Sequence, residues 1–594
     1  LFHNQIKGKI VIWGELFFYK QLKGMNKLTR MNFLPVLLVA LGLSVALSSA
    51  VFAQVAPGAV PGPADVGRIK PEEKLLEPNH SQDQQILVPQ VLPSAPIPPG
   101  AKYISFTLKS VNIEGMTVFT QKQMEALYKG DIGTQPSITI VWDIAGAITK
   151  RYNNAGYFLS RAYVPEQKIT DGVITIKVIE GYIGKVDAPD EVKSHRAVQK
   201  YIERLLAQRP SEIKNVESFL LRMNDLPGYS FRAVLSPIGN TDDNEGAVLL
   251  TLVPAAKEGK GTISFDNYSS RYLGPNEISA SYSKSFLPLQ QTTVTGLSSV
   301  PSDLRYGMVD HSVVIGPDLT LELNGGLTKA YPGFTLASSK IDSTATSGTL
   351  SLNYQWIRQR QENLALKFSF DSRDVVSDIL DTPLTRDHIR ALRYGATYDG
   401  SDNWQGYNTA TTTFSQGVHV LGSSDENDPY LSRAGAKPDF SKLELSASRL
   451  QSFSNEWSLL TAVSGQDASG ILYSSEEFGY GGQAFGRAYD ASEITGDRGM
   501  SGSLEVRNGT WGALQPVSYQ PYVFYDIGEV WNISATQPPR ESGASAGVGV
   551  RFATIWHQSG NLGLAWPLTR EITTPIYGSS VEGPRILLQV GQDF

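Results

Sequence analysis

The five residues Gly543 to Gly547, GASAG, have the G-x-S-x-G spacing of a hydrolase nucleophile elbow, in which a sharp strand-to-helix turn presents a serine to a histidine base. The surrounding run SGASAGVGVRFAT reads instead as one strand of small residues, and only His557 follows it, so the turn, helix and triad partners that acyl transfer needs are missing. The histidines (His3, His80, His195, His311, His388, His419, His557) are scattered, with no H-E-x-x-H and no close pair, and there is no cysteine. No glycine loop of phosphate-binding type opens a helix. The expectation is no catalytic residue, no metal and no cofactor. What stands out is FGYGGQAFGRAYDASEITGDRG, Phe478 to Gly499, which interrupts a regular alternation and sets Arg487 among glycines and aromatics. A guanidinium in such a setting either solvates a polar cavity or forms a charge-assisted pair with a carboxylate, which is strong where water is scarce.

The elements around that arginine are short alternating strands. In LTLELN, Leu319, Leu321 and Leu323 fall on one face and Thr320, Glu322 and Asn324 on the other, because successive side chains of a pleated strand point to opposite sides. LALKFSF at Leu364 and LELSAS at Leu443 repeat the pattern, and the stretches between, such as SSDENDPYLSRAGAKPD, are rich in turn residues. Residues 257–594 therefore suit a transmembrane β-barrel, which pairs every backbone group internally. At about 20 residues per strand and connection, about sixteen strands fit. The same parity places Val523, Tyr525 and Ile527 toward lipid and Asp526 toward the lumen, with Glu505 in SGSLEVRN also inward.

The rest of the chain divides by texture. With 41% hydrophobic and 19% charged residues it is no bundle of membrane helices, and a formal charge of −6 gives no basic excess for nucleic acid. Residues 1–24, upstream of Met25, read as an over-extended gene start. Residues 25–53 carry Lys27 and Arg30 ahead of an apolar run and read as a signal peptide cut after Ala53, a retained anchor helix being the alternative. Residues 54–100 are a proline-rich linker in which Pro71 to Leu76 could form a short helix, a possible plug. A small α+β unit follows at 101–184, in the order strand, helix, helix, strand, strand. A second, at 185–256, hints at a repeat of the same topology.

These residues resemble a known family. GYFLSRAYVPEQKITDGVITIKVIEG matches a polypeptide-transport-associated (POTRA) domain of the haemolysin-activator type at Gly156, Tyr157, Pro165, Gln167, Gly172, Glu180 and Gly181. LLRMNDLPGYSFRAVLSP resembles its partner POTRA domain, and SFDNYSSRYLGPNE the opening barrel strand. The chain is thus similar to TpsB-type two-partner secretion transporters, sixteen-stranded relatives of the outer-membrane assembly insertases. The resemblance implies two periplasmic POTRA domains ahead of an outer-membrane barrel, and no enzyme. The transporter would take an unfolded partner exoprotein, a large β-helical adhesin or cytolysin of TpsA type, and pass it to the surface without ATP. Lipid and the barrel assembly machinery are the further partners, the latter reading the terminal strand RILLQVGQDF, which ends on Phe594.

In that family an inward-folded sixth loop carries a V/I-R-G-Y/F tip, matched here by Gly486, Arg487, Ala488 and Tyr489, two positions departing from the pattern. The arginine's family partner is the acid of an F-x-D-x-G strand, here Phe524, Asp526 and Gly528, with Glu505 in reserve. An assembly factor that inserts other barrels is the alternative function; a passive porin leaves residues 101–256 unexplained.

Overall fold

The computed structural model describes residues 60–69, 97, 99–238, 244–454, 456–509, 516–569 and 584–594. The readings of 1–24 as a gene-start extension, 25–53 as a signal peptide and Pro71 to Leu76 as a helix lie outside the described residues.

The first α+β unit consists of β1 (Ser110–Glu114), α1 (Gln121–Glu125), α2 (Ile140–Asn154), β2 (Arg161–Tyr163) and β3 (Val173–Ile179). Thr120 and Gln123 form a capping box that starts α1 by satisfying its first donors reciprocally. The i, i+4, i+8 apolar positions Ile144, Ile148 and Tyr152 of α2 pack on Ile174, Ile176 and Val178, the inward set of β3. The sheet order is β1-β3-β2, with β1 parallel to β3. Glu180, just past β3, ties the unit together: it accepts from the Thr117 and Val118 amides at 2.8 and 2.9 Å and from the Tyr152 hydroxyl at 2.6 Å.

The second unit repeats this plan with β4 (Tyr182–Asp187), α3 (Asp190–Lys193), α4 (Arg196–Leu206), α5 (Ile213–Asp225), β5 (Tyr229–Pro237) and β6 (Ala247–Ala256), in sheet order β4-β6-β5. Because β4 pairs with β6, it belongs to the second unit, and the boundary falls at Gly181 instead of between 184 and 185. A Cβ on Gly181 would lie 2.3 Å from the Leu159 carbonyl oxygen, so the chain can pass from one sheet to the next there only without a side chain. The Ile213 amide donates to the Gly156 carbonyl (2.8 Å), joining the two units.

Sixteen strands close into a barrel, and the last, Arg585–Asp593, pairs with the first, Lys260–Asp266. Alternation orients every wall. Val523 and Ile527 are exposed on the outside while Asp526 is fully buried inside, and Ile586, Val590 and Phe594 share the outer face of the last strand. Phe594 extends the closure through reciprocal backbone bonds with Gly261 (2.8 and 2.9 Å). On the inner face, small hydroxyl side chains pair across strands: Ser264 with Ser279 at 2.6 Å, Ser343 with Ser377 at 2.8 Å, Thr409 with Ser448 at 2.7 Å and Ser446 with Ser464 at 3.0 Å.

The second unit docks on the end of the barrel at which this chain runs from β6 into the first barrel strand. Asp318, in the turn between strands Leu304–Gly316 and Leu319–Ala330, takes Arg204 at 2.6 Å and Arg222 at 3.2 Å, while its amide donates to the Tyr201 hydroxyl. Arg358 forks onto Asp225 of α5 at 2.6 and 2.8 Å. Leu289 and Val314 of the barrel complete the apolar core of that unit.

Candidate functional site

Between strands Trp457–Ala468 and Arg498–Asn508 the chain does not remain outside the barrel but turns back into it, through a short hairpin of Phe478–Tyr480 with Ile494–Gly496. The tip turns at Gly486, whose φ of +75° is in the left-handed region that favours glycine, and the turn closes by a Tyr489 amide to Gly486 carbonyl bond of 2.8 Å. Ala488 is absent from the positive-φ residues and is fully buried against the Tyr480, Tyr489 and Phe524 cluster. The glycine that the family pattern places after the arginine is thus replaced by one placed before it.

Arg487 is 5% exposed, and each of its three guanidinium nitrogens donates a hydrogen bond. Nε and Nη2 donate to the two carboxylate oxygens of Asp526 at 3.0 and 2.8 Å, Nη1 to Glu505 at 2.5 Å, and Nη2 also to the Ser503 hydroxyl at 3.0 Å. The Arg487 amide adds a fifth bond, to Asp526, at 3.1 Å, and the guanidinium lies 3.5 Å from the Phe524 ring centroid. Glu505 is therefore a simultaneous partner and not a reserve. It is shared with Arg507 at 2.7 Å and Arg551 at 2.8 Å, so two carboxylates and three guanidiniums compensate one another in a water-poor wall.

Gly528 belongs to the site for a steric reason: the Tyr480 ring lies flat on it, and a Cβ there would come within 2.1 Å of that ring. Tyr489 donates its hydroxyl to the Ala544 carbonyl at 2.9 Å. Ser545 of GASAG lies within the wall strand Arg540–Thr554, and its hydroxyl is 3.5 Å from Asp526.

A second inserted segment had no sequence signal beyond its place in a proline-rich stretch. Residues 60–69 lie inside the lumen as two 3₁₀ turns, Gly62–Ala64 and Val66–Arg68. Val66 packs on Leu273, Leu304, Ala330, Ala345 and Val375 of the wall, and Asp65 accepts from Ser474 of the inward loop at 2.6 Å. Arg68 donates to the Glu477 carbonyl at 3.0 Å, and Arg433 pairs with Glu477 (3.1 Å) and with Asp497. Glu476, next to it, takes Arg393 at 2.8 Å and Lys442 at 3.0 Å. Beneath the loop tip, on the side of the small domains, a cavity of about 580 Å³ is lined by Arg487, Tyr522, Arg551, Asn561 and Gln589 among others.

A barrel holding its own loop and N-terminal segment by ion pairs, with two docked α+β units, is matched by known proteins. Residues 320–552 match the haemolysin secretion/activation protein family ShlB/FhaC/HecB, and residues 106–181 the ShlB-type POTRA domain. The chain belongs to this secretion family. It is 25% identical over 536 residues to the heme/hemopexin transporter protein HuxB of Haemophilus influenzae (83% of this chain, 91% of HuxB). It is 22% identical over 489 residues to the outer membrane transporter CdiB of Dickeya dadantii (78% of this chain, 83% of CdiB). In fold it is similar to CdiB from Escherichia coli, with a TM-score of 0.62 at 18% identity over 84% of this chain and 93% of that one. This family member is an outer-membrane protein whose POTRA units stand in the periplasm, and its role is that of a two-partner secretion transporter.

Proposed function

We propose that this transporter receives a TpsA-type exoprotein in an unfolded state at its POTRA units and passes it through the barrel without ATP, performing no covalent chemistry. The observation that carries this reading is how the contents of the lumen are held. The inward loop and residues 60–69 are held by side-chain ion pairs and hydrogen bonds, whereas the wall is held by a continuous backbone ladder. Displacing them clears a conduit without breaking a strand pair. On the periplasmic side, β2 lies at a sheet edge beside α2, and its Ala162 amide is held by the Thr149 hydroxyl at 2.9 Å. An incoming extended strand supplies a carbonyl in place of that hydroxyl, giving main-chain recognition with little demand on sequence. Folding of the client outside makes the passage directional. The exposed outer apolar belt is the contact with lipid, and Phe594 is the mark read by the assembly machinery.

The test is a stalled client. A cognate exoprotein fused to a stably folded domain should arrest in transit, and in the arrested complex residues 60–69 and 478–496 should become accessible to protease. Arrest with both segments still protected would overturn the conduit reading.

A further inference from the structure

The inward loop carries a second charge three residues beyond Arg487, of opposite sign and aimed at a different wall. Asp490 is fully buried. One of its oxygens accepts from Arg271 Nε at 2.6 Å and from the Arg271 amide at 3.2 Å; the other lies 3.5 Å from Arg585 Nη1. Arg271 belongs to the loop that follows the first barrel strand, and Arg585 is the first residue of the last strand. These two elements meet where the barrel closes.

That closure is short. The register between the last and first strands covers five pairs, from Gln589↔Asp266 to Asp593↔Thr262, against eleven between Thr382–Ser401 and Gly406–Gly417. Beyond Gln589 the ladder is continued by one residue, Asn267. Its amide donates to the Leu588 carbonyl at 3.1 Å, its side-chain oxygen accepts from the Leu588 amide at 2.8 Å, and its Nδ2 donates to the Ile586 carbonyl at 2.9 Å. Above that, Arg585 holds the seam: Nη2 donates to three successive carbonyls, Asn267, Tyr268 and Ser269, at 3.1, 3.2 and 3.0 Å. Its Nη1 donates to the Tyr489 carbonyl of the inward loop.

We infer that Asp490 is a second anchor of the inward loop, a positioning residue that sits between Arg271 and Arg585 and keeps the upper part of the barrel seam closed while the loop is in place. The geometry explains why an anion is needed there. Two guanidiniums with side chains 8% and 3% exposed converge on Asp490, which faces both, while Glu493 of the same loop adds a second carboxylate to Arg271 at 3.4 Å. The loop tip is then a cross-brace, its cation seated in the acidic wall at Asp526 and Glu505 and its anion in the basic seam. Withdrawal of the loop removes Asp490 from between the two arginines, so seam strength depends on loop position. The relevance to export rests on the proposed conduit; the seam itself can be measured without any client.

The experiment is hydrogen exchange on the full-length protein in lipid nanodiscs, comparing wild type with Asp490→Asn. Asparagine has the shape of aspartate, so a packing role leaves exchange unchanged, whereas the charge role predicts exchange about tenfold faster in residues 267–273 and 585–588. Strands Ile341–Arg358 and Glu362–Ile379 are the internal control and should not change. Wild-type exchange at the seam in Asp490→Asn overturns the inference. If that variant gives no heat-modifiable barrel, Arg585→Lys is measured instead: it keeps the charge and loses the fork, and wild-type seam exchange there is equally fatal. Loss of export with an unchanged seam would remove the second anchor and leave the conduit reading standing.

Discussion

Replacing Arg487 by alanine leaves the two carboxylates in different positions. Glu505 keeps Arg507 at 2.7 Å and Arg551 at 2.8 Å. Asp526, which is fully buried, keeps the hydroxyls of Ser503 at 2.8 Å and Ser545 at 3.5 Å and, while the loop stays docked, the backbone amide of residue 487 at 3.1 Å, but no cation among its described contacts. Stranding one member of a buried ion pair costs about 3–5 kcal/mol, which moves the equilibrium between docked and withdrawn loop by more than ~100-fold. The barrel wall contributes its own backbone ladder and should survive. Arg487→Ala is therefore expected to yield a heat-modifiable barrel in the outer membrane, a loop that surface-added protease cuts readily, and a sharp fall in export. Asp526→Ala should act in the same direction, and the double variant should cost less than the sum, since removing both partners leaves no unpaired charge. Arg487→Lys keeps the charge but loses the fork and should fall between. A protease-resistant loop together with normal export in Arg487→Ala would refute the reasoning outright.

Other expectations follow from geometry. Gly528→Val should expel Tyr480 and release the loop at a cost of about 1–3 kcal/mol, read as protease sensitivity in a barrel that still assembles. Gly486→Val should be equally disruptive because of its left-handed φ, whereas Ala488→Gly should be tolerated; equal behaviour of the two would place the tip turn elsewhere. Asp318→Ala removes the carboxylate shared by Arg204 and Arg222 and should loosen the second POTRA unit, seen as new proteolytic cleavage between residues 190 and 226 and weaker export. Burial alone would raise the Glu180 carboxyl, but the bonds from Thr117, Tyr152 and Val118 outweigh it and hold it below the ordinary carboxylate range. Its stabilisation is thus complete at neutral pH and lost as pH falls through the lowered folded value. The urea midpoint of the first POTRA unit, followed by a dye at Lys129→Cys in this otherwise cysteine-free chain, should drop in acid, and in Glu180→Gln that dependence should flatten.

Much of this was legible because strands have a period of two. Parity alone sends Asp526 and Glu505 inward, and the same alternation, counted along residues 257–594, leads to sixteen strands. Parity does not count partners, so Glu505 reads as a reserve until the guanidinium is seen to use both acids at once. The domain boundary is hidden in the sequence because β4 follows β3 after only Glu180 and Gly181, and one apolar run holds strands of two sheets. The seating of residues 60–69 had no local signature: Asp65 and Ser474 are 409 positions apart, and no periodicity connects them. The same holds for Asp490 and Arg585, whose bond depends on where the loop tip comes to rest.

The paired hydroxyls of the inner wall bear on what a cleared channel would be like to travel through. Ser264 with Ser279, Thr409 with Ser448 and Ser446 with Ser464 each share one hydrogen bond across neighbouring strands, a contact made within the wall and independent of the loop. They are small, uncharged and easily wetted, and they give a passing apolar segment nothing to adhere to. They contrast with the charged positions of the same wall, Asp526 and Glu505 on one side and Arg393 and Lys442 on another, which the inward loop covers with charges of opposite sign.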